Sequence, residues 1–322
     1  MYHISLISDL SRAESLWQAL SPRLTIFDEW SWRYCFYKHQ PRPLCFLAAF
    51  LTVEAAKPEN FDAQAAVALL PLQTQEEHGH EFMAEDPCEE NRLFILPGHE
   101  AAVPELYAAI PGEAICFDIS GDDEYTRKLT LEDYKYVLPL AGLNSFDDFL
   151  QTRLSAKRRR SLVKELEALE KNNIEVKTYK PDIVGIKDEA AVLASQAEKD
   201  LELLFALNHG NFSGESYLKE EELAPWRDLL QLSFDWRISV VTVDGQMAGV
   251  SLSVLYNNHW HYMITGVNFK NWPGLGKYLV KANIEEAISV GADLFDAGLG
   301  DCGWKHIWHF DKIPQYEFRK ES

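Results

Sequence analysis

The segment Asn271-Trp-Pro-Gly-Leu-Gly-Lys277 joins two stretches that predict different secondary structures. Residues 238–266 before it hold three apolar, alternating runs with a turn between the first two, which is typical of a β-hairpin and a further strand. After it, apolar residues recur at helical spacing as far as Gly291, a typical helix end. This order predicts main-chain N–H groups at a helix start, where partial positive charge can bind an anion.

The length and net charge of the chain limit the number of domains and the kinds of ligand that we expect. A chain of 322 residues exceeds one average domain, so two domains are expected, and 47% hydrophobic residues suffice for packed cores. The formal net charge is −19. Such an excess repels nucleic acids and anionic membranes over most of the surface, but a small anionic ligand needs only a local group of N–H donors and a few lysines.

The sequence gives no sign of export, of a membrane span or of a metal. Its five cysteines are widely spread and form no Cys-x-x-Cys pair, which argues against zinc and against a disulfide framework. Residues 1–10 lack the basic-then-apolar pattern of an export signal, and the longest apolar run, 44–53, is about half of what a bilayer crossing needs. We therefore expect a cytoplasmic protein with no membrane span.

Element patterns in the first half alternate between helix and strand. Predicted helices cover residues 10–20, 28–38 and 101–110, and predicted strands cover 44–53, 65–72, 93–96, 114–119 and 134–138. Residues 54–64 are expected to be a long hairpin loop, and the acidic residues 76–90 an exposed loop.

From Ser145 on, helical spacing predicts one linking helix over residues 145–171. Predicted helices follow at 188–207 and 217–236, with strands at 174–179, in the hairpin and at 293–297. Both halves then hold similar elements in similar order, so we predict an α/β (α+β) fold of two units, 1–144 and 145–322. Each unit is expected to be a mixed, mainly antiparallel twisted sheet flanked by helices.

Three motifs resemble a known superfamily. Asn271-x-x-Gly274-x-Gly276 resembles the Arg/Gln-x-x-Gly-x-Gly/Ala loop with which GNAT acyltransferases hold the pyrophosphate of acetyl-CoA. Leu154-Ser-Ala-Lys157-Arg-Arg-Arg160 and Phe295-Asp296-x-Gly298-x-Gly300-Asp301-x-x-Trp304-Lys305 resemble motifs of its tandem-GNAT branch, the cellulose-biosynthesis-type acetyltransferases and Fem-type aminoacyltransferases. The resemblance covers residues 145–322 and reaches the first half only in outline, which implies that the first unit is a degenerate GNAT-like unit.

The resemblance implies an acyl-CoA co-substrate, most simply acetyl-CoA, and no metal. The implied cofactor-binding residues are Val267, Asn268, Asn271, Gly274, Leu275, Gly276, Lys277 and Lys281. Val267 and Asn268 would offer main-chain groups to pantetheine, and the two lysines would face the phosphates or simply be solvated. Two residues depart from the pattern: Asn271 replaces arginine or glutamine, which weakens the case for cofactor affinity, and Trp304 replaces a tyrosine that could act as an acid.

Candidate catalytic residues are Asp301, Lys305, Asp296 and His261. Asp301 could accept the proton of an amine, and Lys305 could stabilise an oxyanion. Alternatively, Asp301 caps the following turn and pairs with Lys305. His261 could be the base because histidine titrates near neutrality, or it could be a packing residue. His209 is a weaker candidate in an expected flexible loop.

We therefore expect an N-acyltransferase that acetylates an amine of a small or cell-envelope-related acceptor, bound in a cleft between the units. A Fem-type enzyme using aminoacyl-tRNA is a rival, which the net charge disfavours, and a non-catalytic binding module is another. The basic run 157–160 is either a solvated helix face or a site for an anionic acceptor. Neither the acceptor, nor the acyl length, nor the oligomeric state follows from the sequence.

Overall fold

The computed structural model describes residues 2–77, 79–85, 88–121, 123–181, 189–211 and 223–321. It divides into two compact units. Unit 1 comprises the residues up to Lys135 together with those from Ile313 on, and unit 2 comprises Tyr136–Lys312.

Unit 1 is a sheet with helices packed on it. Its helices are α1 (Leu10–Leu20), α2 (Trp30–Tyr37), α3 (Val53–Ala56) and α4 (Ala102–Ala108), and its strands are β1 (His3–Ile7), β2 (Leu44–Phe50), β3 (Ala66–Gln75), β4 (Gly79–Phe82), β5 (Phe94–Ile95), β6 (Ala114–Ile119) and β7 (Thr130–Pro139), whose last residues enter unit 2. The sheet order is β1-β2-β3-β4-β6, antiparallel except for the parallel pair β4–β6.

Strand β2 is buried along its whole length, because both of its faces are covered. Alternate residues such as Leu47 pack with α4 in one apolar cluster, and the others, such as Phe46, pack with α1 in a second cluster. A continuous apolar run is what such a strand requires.

The prediction of an exposed loop at 76–90 is wrong for most of the described residues from Gly79 on. It contains strand β4, and Glu85 is buried because its carboxylate accepts the N–H groups of Phe82 and Phe117 at 3.1 and 3.2 Å. Glu90 is buried as well, in an ion pair with Lys135. Some of the acidic residues of this stretch are therefore buried with hydrogen-bond or ion-pair partners, whereas Glu76 and Glu77 are exposed. The expected hairpin loop at 54–64 instead forms short helical turns.

Unit 2 carries the remaining elements. Its helices are α5 (Phe146–Arg153), α6 (Ala156–Glu170), α7 (Glu189–Asn211), α8 (Leu223–Leu230) and α9 (Leu275–Ser289), and its strands are β8 (Ile174–Tyr179), β9 (Asp235–Val243), β10 (Gln246–Tyr256), β11 (His259–Val267), β12 (Leu294–Leu299) and the start of β13 (Asp311–Lys320). The strand order β12-β11-β10-β9-β8 is antiparallel except for the parallel pair β11–β12. The predicted fold class, a mixed and mainly antiparallel sheet flanked by helices, is confirmed.

Several boundaries differ from the prediction. The linking helix over 145–171 is two helices, because Leu154 is extended and the Ser155 hydroxyl caps a new helix by accepting the Arg158 N–H. The helix predicted over 217–236 is described only as α8, and Trp236 belongs to β9. Strand β13 was not predicted, and its end pairs with β6, so the residues from Ile313 on belong to unit 1.

A buried polar network fixes α9 on the sheet of unit 2. The Asn283 amide donates to the Ser251 hydroxyl at 2.9 Å and accepts from the Ser253 hydroxyl at 3.0 Å. All three residues are buried, so each polar group needs its partner. This network therefore holds the middle of α9 against β10.

Candidate functional site

Strands β11 and β12 pair only at their beginnings. The parallel register joins His259 to Leu294 and ends at His261 opposite Asp296, although β11 runs on to Val267. On its other side β11 stays paired with β10, with a register irregularity near Met263. The edge of β11 that faces β12 beyond His261 therefore has no strand paired to it in this register, and the two strands diverge.

The glycine loop stands where β11 ends. Gly274 has φ +89°, a left-handed conformation that favours glycine, and α9 begins at the next residue. Within the described hydrogen bonds, the N–H groups of Gly274 and Gly276 have no protein acceptor, whereas the N–H of Lys277 donates to the Gly274 carbonyl at 2.9 Å. Two amides at the start of α9 are therefore available to an anion.

Asn268 organises the first part of the loop. Its main-chain N–H donates to the Ala248 carbonyl at 2.9 Å, and its side-chain and main-chain oxygens accept the N–H groups of Asn271 and Trp272 at 3.1 and 3.0 Å. These amides are engaged within the protein. Asn271 thus helps to close the turn through its main chain, and the anion-binding part of the loop shrinks to residues 274–276.

Both candidate lysines have acidic partners. The Lys277 ammonium forms an ion pair with Glu165 on α6. Lys281 pairs with Glu285 at 2.9 Å and lies over the Tyr278 ring. One interpretation of the sequence expected both ammonium groups to be simply solvated. Each of them instead has an acidic partner.

A side chain of the protein covers part of the loop. A Cβ atom at Gly276 would lie 3.0 Å from the Phe269 ring, which is 47% exposed. Gly276 therefore admits a close approach of this ring, which is a structural reason for glycine independent of any ligand. Because the ring is half exposed, it can rotate away without opening the core.

Asp301 caps the turn that follows it, and its partner is His306 rather than Lys305. Its carboxylate accepts the His306 N–H at 3.1 Å and lies 3.0 Å from the His306 ring nitrogen. Burial acts in the opposite direction, but these hydrogen bonds and the His306 charge lower the pKa of Asp301 below its ordinary value. A carboxylate so stabilised is a weak proton acceptor.

Lys305 is buried, with 3% of its surface exposed, and its ammonium donates to the carbonyls of Gly298 and Leu299 at 2.9 and 2.5 Å. It thereby binds the end of β12 to the turn that follows. The expected pairing with Asp301 is absent from the described ion pairs. Trp304, beside it, packs against the rings of Tyr262 and Phe310.

His261 and Asp296 form a pair at the point where the two strands separate. The His261 Nδ1 atom lies 3.3 Å from the Asp296 Oδ2 atom, and the two residues are 1% and 3% exposed. The other carboxylate oxygen accepts the Gly298 N–H at 3.0 Å. A carboxylate held from both sides can orient an imidazole as a base.

Helix α7 contributes residues that the sequence did not single out. The Asn208 amide donates to the Thr265 carbonyl on β11 at 3.0 Å, and a Cβ at Gly266 would lie 2.3 Å from the Leu204 carbonyl. Helix α7 therefore packs directly on β11 beyond the divergence. His209 is an exposed residue of this helix, so the expectation of a flexible loop there is wrong.

Other candidate features lie elsewhere or are absent from the described residues. A cavity of 340 Å³ between α5 and α6 is lined by Arg159, Arg160 and Lys164 among others, and by none of the predicted catalytic or cofactor-binding residues. In the described ranges no three His, Cys, Asp or Glu side chains are arranged to hold a metal ion. Every helix there is too short or too polar to traverse a bilayer. Four cysteines are buried thiols and Cys302 is an exposed one.

Comparisons with known proteins agree with this geometry. Residues 156–306 match the family model described as an acetyltransferase (GNAT) domain, which confirms the predicted resemblance. No curated protein matches the sequence.

Similar solved structures include the C-terminal domain (DUF2156) of a candidate lysylphosphatidylglycerol synthetase from Agrobacterium fabrum, with TM-score 0.56, 9% identity and coverage of 95% of this chain and 90% of that one. L-PGS from Bacillus licheniformis has TM-score 0.54, 12% identity and coverage of 98% and 92%. FemX has TM-score 0.52, 9% identity and coverage of 98% and 96%. At these identities the similarity concerns the fold alone.

Proposed function

We propose that unit 2, which carries the GNAT-type acyltransferase domain, transfers an acyl group from acyl-CoA, most simply acetyl-CoA, to an amine. One observation carries the proposal: β11 and β12 stop pairing after His261 and Asp296, and the available amides of Gly274 and Gly276 follow directly on β11. A diverging strand edge continuous with an anion-binding helix start suits a ligand with an amide-containing arm and a diphosphate.

His261 is the proposed general base, with Asp296 as the residue that orients it. The acceptor ammonium gives a proton to the imidazole, and the neutral amine attacks the thioester carbonyl. The C–N bond then forms, the C–S bond breaks, and the second proton lost by the nitrogen passes to the leaving thiolate, which gives the amide and the free CoA thiol. Asp301 was the first choice from the sequence, but its contacts with His306 favour a capping role.

Calorimetric titration with acetyl-CoA tests the proposal. We expect saturable binding that Gly276→Leu weakens at least tenfold, because the new side chain fills the space above the free amides. A melting temperature close to that of the wild-type protein would show that the variant folds. Unchanged affinity in a folded Gly276→Leu protein would refute the assignment of this loop to the donor. Binding without acylation of any amine in a broad library would instead favour a binding module.

A Fem-type aminoacyl transfer is a second candidate, and one observation favours it. The Phe269 ring and the ion pair of Lys277 with Glu165 take up contacts that a CoA diphosphate would use. An aminoacyl-tRNA donor needs no diphosphate at that position. Transfer of a radiolabelled amino acid from tRNA, together with no heat on addition of acetyl-CoA, would establish this candidate over the first.

A further inference from the structure

Glu165 lies among cations that come from different elements. Its carboxylate pairs with Lys277 at the start of α9 and accepts the Ser161 hydroxyl at 3.1 Å. The hydrogen bond from Lys277 is the main cause that lowers the pKa of Glu165, and the charge of Arg158, two turns earlier on α6, acts in the same direction. The carboxylate is therefore ionised and held beside the glycine loop.

The Arg158 guanidinium is held by one hydrogen bond and keeps a donor that has no acceptor among the described residues. Its Nε atom donates to the Ile307 carbonyl at 3.0 Å, which orients the guanidinium toward the turn after β12. One of its terminal nitrogens is enclosed by the protein and has no hydrogen-bond partner among the described residues. A guanidinium in this state is ready to donate to an oxyanion.

Helix α6 touches both parts of the candidate site. Arg158 contacts the turn that follows β12, and Leu169 lies 3.8 Å from a Cβ built at Gly274, in the loop that follows β11. Glu165 stands between these two contacts on the same helix. Glu165 and Leu169 are thus next to the start of α9, two turns or more along α6 from Arg158.

We infer that Lys277 and Arg158 form an anion site in which Glu165 is the occupant of the ligand-free protein, and that the diphosphate of the acyl-CoA donor replaces it. This inference rests on the proposed function. A diphosphate carries more charge than one carboxylate and can also reach the free amides of Gly274 and Gly276. Arg158 would then supply, from another helix, the positive charge that Asn271 does not provide.

The competing explanation is that Glu165 and Lys277 only connect two helices. Their side chains are 35% and 30% exposed, and ion pairs of that kind contribute little to stability. A purely structural pair would leave ligand affinity unchanged when it is removed. The two explanations therefore predict different titrations.

The test compares the affinities of the full chain for acetyl-CoA and for acetyl-pantetheine, which lacks the diphosphate. Glu165→Gln should bind acetyl-CoA about fivefold more tightly because the competing charge is gone, and Arg158→Gln about fivefold more weakly. Arg158→Lys should fall in between, because it keeps the charge without the planar fork. None of the variants should change the affinity for acetyl-pantetheine more than twofold.

Matched controls are Glu167→Gln and Arg160→Gln, which remove the same charges from exposed positions of α6. If Glu165→Gln behaves like Glu167→Gln, or if folded Arg158→Gln keeps full affinity, the inference is wrong while wild-type binding preserves the proposed function. Binding by Glu165→Gln but not by the wild-type chain would support the inference strongly. Absence of acetyl-CoA binding in every protein would overturn the proposed function and the inference with it.

Discussion

His261 and Asp296 face each other across the last residue pair that joins β11 to β12, with Nδ1 and Oδ2 separated by 3.3 Å. Both side chains are buried, so the imidazole and the carboxylate stay beside each other where the two strands separate. Because the Gly298 N–H fixes the second oxygen of Asp296, the carboxylate cannot turn away. The proposed base and the residue proposed to orient it are therefore in contact.

Asp296→Asn should lower kcat about 100-fold, because the neutral amide no longer stabilises the positive charge that the imidazole gains when it accepts the proton. The acetyl-CoA dissociation constant should change less than twofold, since the substitution keeps an oxygen for the Gly298 N–H. Single-turnover acylation with calorimetry measures both quantities. Asp293→Asn, an exposed position just before β12, is the control. Equal losses in the two variants would remove the orienting role.

Asp301→Asn should retain most of the activity. Its carboxylate caps a short turn through His306, so we expect a small loss of unfolding free energy, about 0.5 kcal/mol after allowance for its exposure. Steady-state kinetics and urea denaturation of the same preparation provide the test. A loss of activity above 100-fold without loss of stability would return Asp301 to the role of base.

Lys305→Met should destabilise unit 2 by about 2 kcal/mol, because the buried Gly298 carbonyl and the partly buried Leu299 carbonyl lose their donor. Lys305→Gln keeps a donor without the charge, so it should recover much of both stability and activity. Thermal unfolding and specific activity distinguish the two roles. If Lys305→Gln is as stable as the wild-type protein but inactive, the charge itself takes part in catalysis.

The sequence predicted secondary structure best where apolar residues recurred regularly over a long, uninterrupted stretch. Residues 235–243 and 246–256 form the expected hairpin and residues 259–267 the further strand. Helix α9 begins beside Gly274, because only glycine readily takes the left-handed turn before it. The prediction of β13 failed because its apolar residues are mixed with charged ones and a proline. Gln315, which is fully buried, is held there by the distant Ser120.

Contacts inside the candidate site were less predictable, since they join residues far apart in the chain. Nothing near Lys277 indicates that its partner is Glu165, which precedes it by 112 residues. Likewise, Gly276 was predicted to let a phosphate group approach the main chain, whereas the structure shows that it also leaves room for the Phe269 ring. Periodicity reports which face of an element is buried, but it does not report which side chain from another element meets it.

Asp118, at the end of β6 in unit 1, should make stability depend on pH. Burial, followed by the charges of Glu132, Glu89 and Asp133, raises the pKa of Asp118 from 3.8 to about 8. Between these two values the folded protein binds the proton and the unfolded chain does not, so stability falls as the pH rises from about 4 to about 8.

Asp118→Asn removes the free-energy cost of ionising a buried carboxyl group at this position. The backbone can keep its conformation, since asparagine tolerates the positive φ of 54° found there. At pH 7.5 we expect the variant to be more stable by about 2 kcal/mol, with a smaller slope of unfolding free energy against pH. Urea denaturation at pH 5 and pH 8 measures both. Asp123→Asn is a control for which the opposite change in stability is expected. Burial raises the pKa of Asp123, but hydrogen bonds from Thr126 outweigh it and lower the pKa below its ordinary value. This variant should therefore be less stable than the wild-type protein at pH 8. Parallel pH slopes for Asp118→Asn and the wild-type protein would show that Asp118 is already ionised in the folded state.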